Sequence, residues 1–194
     1  MRPYMWRFWK LTPSAGQIDI FDESWYRDLL ARITGGKKSP LTTRQSKMIM
    51  DDIENFEKLL TQGGGPEETK PCIILKFFLE ITKKEQKKRL KSFDGNKIYP
   101  YFLDKADWYA SRHFDEQKPL VDKLIAMTDA DYAPWHVVNS DGWRPATASV
   151  YRIVIDTLQG RLDQDGPRPH ASAKKRTQIP GGDVPVPSIL AGIK

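Results

Sequence analysis

The chain has 194 residues, 39% of them apolar and 29% charged, with a formal net charge of +6. That composition suits one soluble domain with a real core, and the positive balance favours anionic partners: phosphate chains, nucleotides or nucleic acid. Cys72 is the only cysteine, which excludes an internal disulfide, and no apolar segment is long enough to span a bilayer.

Taken in chain order, Tyr4, Met5, Trp6, Phe8 and Trp9 form an aromatic patch that reads as the end of a helix. Arg7 interrupts it and no small-residue cleavage site follows, so it is a poor signal peptide and a cytoplasmic location is expected. Pro13 to Gly16 is a loop, Ile18 to Phe21 a strand, and Ser24 to Ile33 a helix ending at Gly35-Gly36. Met48, Ile49, Ile53, Phe56, Leu59 and Leu60 set a helical stripe over Arg44 to Leu60, closed by Gly63-Gly64-Gly65-Pro66. Cys72 to Ile81 is nearly continuous in apolar residues, as a parallel strand covered on both faces would be, and predicts a buried, inert thiol. Thr82 and Glu85 have the spacing of a capping box and open a helix carrying Lys84, Lys87, Lys88, Arg89 and Lys91. Asp94 to Tyr101 is irregular; helices are predicted from near Ala106, over Phe114 to Met127 and over Ala146 to Leu158, with a third strand at Trp135 to Val138. Alternating strands and helices predict a three-layer α/β/α sandwich around a parallel sheet, and the Pro-, Gly- and Lys-rich residues from Gln159 onward a linker or disordered tail.

Asp22 is the first candidate for chemistry. A carboxylate at the carboxyl end of a buried strand is where phosphate-handling α/β proteins manage Mg²⁺ and phosphates. The alternative is an N-cap for the helix beginning near Trp25. The lysines after Thr82 are either a phosphate track or a solvated helix face. His113, His136 and His170 lack metal-ligand spacing, and His136 reads as a core or edge residue. Trp108, Trp135 and Trp143 read as packing anchors, Arg144 and Arg152 as helix surface. Ser24 lacks the flanking glycines of a nucleophile elbow.

Arg2-Pro3-Tyr4-Met5-Trp6-Arg7-Phe8-Trp9 followed by Phe21-Asp22-Glu23-Ser24-Trp25-Tyr26 resembles the polyphosphate kinase type 2 family. The resemblance continues through Ile53–Glu57, Lys76–Gln86 and Ala133–Val138, in the family's order, over roughly Arg2 to Leu158. It implies a P-loop kinase-like fold and Mg²⁺-dependent phosphoryl transfer between polyphosphate and nucleotides. Residue by residue, it implies Asp22 as the catalytic and Mg²⁺-binding carboxylate, Arg89 as the lid arginine, and Lys87 and Lys88 along a polyphosphate track. Arg27, one position before Asp28, is a further candidate phosphate ligand that would compensate in part for the arginine the family carries at Asp28.

Three departures bear on activity. The 194 residues contain no Gly-x-x-x-x-Gly-Lys-Ser/Thr; Gly35-Gly36-Lys37-Lys38-Ser39 has Ala31 at the first glycine position and Lys38 at the hydroxyl position, and it follows a helix rather than a strand. Glu23 and Asp28 stand where the family carries arginines. The family's basic stretch after the lid is Asp94-Gly95-Asn96-Lys97-Ile98-Tyr99-Pro100 here. The tail from Asp183 to Ile193 resembles the linker before the second repeat of tandem polyphosphate:AMP phosphotransferases.

The expectation is therefore a family domain over 1–160, its amino-terminal strand and phosphate loop missing, and a flexible linker over 161–194 towards a second domain. Two functions stand open. One is part of a polyphosphate-dependent phosphotransferase acting on AMP or another nucleotide, inactive as this chain alone. The other is a non-catalytic module that packs on a catalytic domain, or on a second copy, with a basic helix open to polyanions. A membrane partner is not expected, and no recognised motif supports nucleic-acid binding.

Overall fold

A computed structural model describes residues 4–14, 16–34, 41–63, 72–94, 103 and 105–165. In chain order the elements are α1 (Trp6–Trp9), α2 (Arg27–Ile33), α3 (Thr43–Gln62), β1 (Lys76–Glu80), α4 (Lys83–Phe93), α5 (Lys105–Arg112), α6 (Phe114–Thr128), β2 (Trp135–Asn139) and α7 (Trp143–Asp165). β1 and β2 pair in parallel, with Lys76 opposite Trp135 and Glu80 opposite Asn139, and the long crossover between them carries α4, α5 and α6. This is an α/β fold.

Helix boundaries follow local chemistry. Thr42 accepts the Gln45 N–H at 3.2 Å while Gln45 Oε1 accepts the Thr42 N–H at 3.0 Å, so α3 opens on a reciprocal capping box. It closes at Gly63, whose φ of 74° suits a residue without a Cβ. Thr82 caps α4 by accepting the Glu85 N–H at 3.2 Å. The second half of the capping box predicted there does not form: Glu85 turns along its own helix instead, and the Thr82 N–H donates to Asp141.

The core gathers Met5, Phe8, Trp25, Tyr26, Leu29, Ile53, Phe56 and Leu124. Its aromatic rings meet edge to face: Phe8 and Trp25 at 5.8 Å, Trp25 and Phe56 at 5.1 Å, Trp9 and Phe56 at 4.7 Å. The opening aromatic patch is thus a core element, held further by Tyr4 Oη donating to the Trp25 carbonyl at 2.6 Å.

Several expectations need correction. Ile18 to Phe21 is not a strand: it has no regular structure, and Ile18 and Ile20 are 74% and 93% exposed. An extended segment becomes a strand only when a neighbour takes up its N–H and C=O groups, and neither β1 nor β2 pairs with it. The Cys72–Ile81 strand is shorter, five residues from Lys76, and Cys72 is half-buried rather than buried. Trp143 is no anchor; it is exposed at the start of α7. The Gly35–Ser39 loop, most of Asp94–Tyr101 and the tail beyond Asp165 lie outside the described residues.

The chain divides into two units, Met1–Val154 and Ile155–Lys194. The elements above belong to the first, apart from residues 155–165 of α7. In the second, residues 155–165 are helical and Ile155, Leu158 and Leu162 are exposed. No helix among the described residues is long and apolar enough to cross a membrane.

Candidate functional site

The turn before α2 sorts its side chains into two sets. Trp25 and Tyr26 point inward, where both donate to Glu57 Oε1, at 2.9 Å from the indole and 3.0 Å from the phenol. Glu57 is 2% exposed. Its other oxygen receives Lys76 Nζ at 2.9 Å, and Lys76 also donates to the Thr128 carbonyl at 2.7 Å and to Tyr26 Oη at 3.3 Å. The ammonium lies 5.4 Å and 5.3 Å from the ring centres of Tyr26 and Trp135, within reach of both π faces. Trp135 Nε1 donates to Thr128 Oγ1 at 3.0 Å, completing a buried network across the turn, α3, β1, α6 and β2. Burial, and then the Glu57 carboxylate, push the Tyr26 phenol far above its usual pKa.

The outward set is Asp22, Glu23 and Arg27. Asp22 is exposed and has no hydrogen-bond or ion-pair partner among the described residues. It does not cap α2, which begins at Arg27 behind Tyr26, too far along the chain for Asp22 to reach its first N–H groups as an N-cap would. Glu23 has φ 57°, the left-handed region that costs a residue with a Cβ about 1 kcal/mol or more. That conformation brings its carboxylate to 2.7 Å from Arg27 Nε. Asp28 similarly holds Arg7 at 3.3 Å. Glu23 and Asp28 therefore each neutralise an arginine beside them in space.

Mg²⁺ needs near-octahedral oxygen ligands, usually one or two carboxylates completed by phosphate and water. Asp22, exposed and without a partner among the described residues, could supply one such carboxylate; among those residues no three His, Cys, Asp or Glu side chains converge to hold a metal without substrate.

The second candidate region is α4, running from the carboxyl end of β1. Its axis turns about 100° per residue, so Lys84, Lys87, Lys88 and Lys91 share one stripe, about 10 Å long and solvent-exposed throughout. Lys84, Lys87 and Lys91 have no ion-pair partner among the described residues, and Lys88 lies 3.1 Å from Glu85 with its own side chain 75% exposed. Arg89 lies on the other side. Its Nη2 donates to the carbonyls of Ser140 at 2.5 Å and Asp141 at 3.3 Å, and its Nε to Glu85 Oε1 at 3.1 Å. The Arg89 guanidinium, followed by Lys88, holds the Glu85 carboxyl below the usual glutamate range.

Beneath the start of α4, Glu80, Thr82, Lys83, Phe114, Lys118 and Asn139 line a hollow of about 280 Å³. Its lysines are engaged: Lys118 meets Glu80 at 2.6 Å and Asp122 at 2.7 Å, and Lys83 pairs with Asp115. Of the residues singled out from sequence, Asp22 and Arg27 share one turn and Lys87, Lys88 and Arg89 share α4; no hydrogen bond or ion pair among the described residues joins the two groups. Sequence reasoning missed Glu57 and Lys76. The signal was a charge inside each of two apolar patterns, Glu57 in the α3 stripe and Lys76, of opposite sign, at the start of β1.

Comparison with known proteins places this arrangement. The family model for polyphosphate kinase 2 matches residues 1–166. The chain belongs to the polyphosphate kinase 2 family. It is 31% identical to a polyphosphate:AMP phosphotransferase of Pseudomonas aeruginosa over 175 residues, covering 88% of this chain and 33% of that protein. It is 30% identical to an AMP/ADP-polyphosphate phosphotransferase of Meiothermus ruber, covering 90% of this chain and 61% of the relative. Among solved structures, polyphosphate kinase 2 of Arthrobacter aurescens TC1 matches with a TM-score of 0.72 at 27% identity, over 89% of this chain and 56% of that one. The chain spans about a third of the length of the Pseudomonas relative. The α/β architecture is that of a P-loop kinase-like fold, as the resemblance implied.

Proposed function

We propose that this chain is part of a polyphosphate-dependent nucleotide phosphotransferase, to which it contributes a polyanion-binding surface on α4 rather than a complete transfer site. The observation that carries the reading is the lysine stripe, an exposed cationic row in which only Lys88 has an ion-pair partner among the described residues, on a helix rooted at the carboxyl end of the sheet. Relatives named for polyphosphate and AMP or ADP supply the substrate class. Residues 1–160 are taken as the family domain and 161–194 as a linker towards a second such domain, or the domain as one that pairs with another copy.

A non-catalytic role is favoured by the outer face of the turn. Glu23 and Asp28 engage Arg27 and Arg7, so phosphate would have to displace a carboxylate at each. The 194 residues also lack the glycine-rich loop whose backbone N–H groups would cradle a phosphoryl group.

Two measurements test this. The purified chain, incubated with polyphosphate, AMP and Mg²⁺, should form no ADP; turnover above a no-enzyme control overturns the non-catalytic reading. The double substitution Lys87→Glu/Lys88→Glu should weaken polyphosphate binding at least about tenfold and flatten its salt dependence, since it removes two counterion-releasing contacts. Unchanged affinity removes α4 from the binding surface.

A further inference from the structure

The two points that fix α4 both lie on one short turn. The Thr82 N–H, at the helix's capping residue, donates to Asp141 Oδ1 at 2.8 Å. Arg89, two turns along, grips the Ser140 and Asp141 carbonyls. That turn is itself tied to the sheet, because the Ser140 N–H donates to the Glu80 carbonyl at 2.6 Å. A third tie runs sideways, from Lys83 on the first turn of α4 to Asp115 on α6. A helix attached at one point can swing; one attached at residues 82 and 89, about 10 Å apart along its axis, has no single hinge left.

The attachment also decides what Arg89 is free to do. Its Nε and one terminal nitrogen are committed to Glu85 and to two carbonyls, and it lies about 140° around the helix from Lys84. A phosphate taken in a forked grip by Nη2 or Nε would have to pull the guanidinium off the turn or off Glu85; among the described residues only Nη1 is left uncommitted. The lysines gain from the same geometry: their spacing along the stripe is set before any ligand arrives, so a linear polyanion meets charges already in register.

We propose that Arg89 and Asp141 are positioning residues that bolt α4 to the turn after β2, making Lys84, Lys87, Lys88 and Lys91 a fixed rail for a linear polyanion, and that Arg89 is not itself a phosphate ligand. This rests on the reading of α4 as the polyphosphate-binding surface.

The test uses the purified chain, linear polyphosphate, and the variants Asp141→Ala, Arg89→Gln and Arg89→Lys. Amide hydrogen exchange is followed in α4, and affinity is followed as a function of salt. Asp141→Ala is the decisive variant because it removes a negative charge. Electrostatics alone would tighten polyanion binding, whereas loss of the bolt should weaken it about threefold or more and speed exchange at residues 85–91. Arg89→Gln should do the same with its salt dependence unchanged, and Arg89→Lys should not rescue, since one ammonium cannot reproduce the forked grip.

A salt slope reduced by about one for Arg89→Gln would make Arg89 a direct phosphate ligand and overturn the proposal. So would tighter or unaltered binding in Asp141→Ala with α4 exchange unchanged. Should either variant fail to fold, exchange in the unmodified chain decides: protection of α4 close to that of β1 and β2 supports the bolt, and rapid lid-like exchange overturns it. If the unmodified chain binds no polyphosphate, the reading of α4 as a polyanion surface fails, while the exchange result still judges the bolt separately.

Discussion

The turn before α2 and the helix α4 solve opposite problems with similar residues. In the turn, the aromatic pair Trp25 and Tyr26 faces inward and ends on the buried Glu57–Lys76 ion pair, while outside it Glu23 and Arg27 neutralise each other and Asp22 stays unpaired among the described residues. In α4, the half-exposed Arg89 commits Nε and Nη2 to structure, and the lysines on the other side remain exposed. In the turn, the aromatic residues therefore hold the structure together while Glu23 and Arg27 engage each other outside it. A basic helix can keep its charge available because one of its cations holds it in place.

The largest test of that contrast is Lys76→Met. Leaving Glu57 buried and unpaired should cost about 3–5 kcal/mol, measured by denaturant unfolding, whereas Glu57→Leu combined with Lys76→Met should recover much of the loss. If the single substitution costs under about 1 kcal/mol, the network is not what holds the turn. A smaller effect is expected in alkali. Tyr26 resists ionisation when folded but releases its proton near pH 10 when unfolded, so the unfolded state binds fewer protons and stability falls as pH rises. The loss should be about 1.4 kcal/mol per pH unit above the ordinary tyrosine value, and its phenolate absorbance should appear only with unfolding. Substituting Glu23→Gly relieves a left-handed φ at the expense of an exposed ion pair; a net gain of up to about 1 kcal/mol in thermal stability is expected. The smallest effect is local. Because Arg89 and Lys88 lower the Glu85 pKa, their contribution is present above the ordinary glutamate value and is lost as pH falls through the lowered one, so exchange in α4 should rise at that acid end while the Tyr26 network stays protected.

Much of this was legible in the chain. The helix-period stripe of Ile53 and Phe56 and the Thr82 cap became elements near their predicted bounds, because local capping and periodicity specify them, while the apolar run became a strand over only half its predicted length. Ile18 to Phe21 misled because its alternation satisfies a strand's sequence rule, while a strand also requires a partner that sequence spacing does not supply. The site was harder still. Glu57 and Lys76 are nineteen residues apart and meet only through packing, and Arg89's grip on the Ser140 and Asp141 carbonyls involves backbone acceptors that carry no residue signature.

The register of the two strands has a kinetic consequence. Pairing Lys76 with Trp135 joins residues 59 apart in the chain (135 − 76), so the sheet forms only after a long loop has closed, at an entropic cost of about 4 kcal/mol before any constant term. Helices α3 and α6 need no such closure. Folding should accordingly proceed from helices to sheet, with the two short strands zipping late. Substitutions in β1 should then speed unfolding more than they slow refolding.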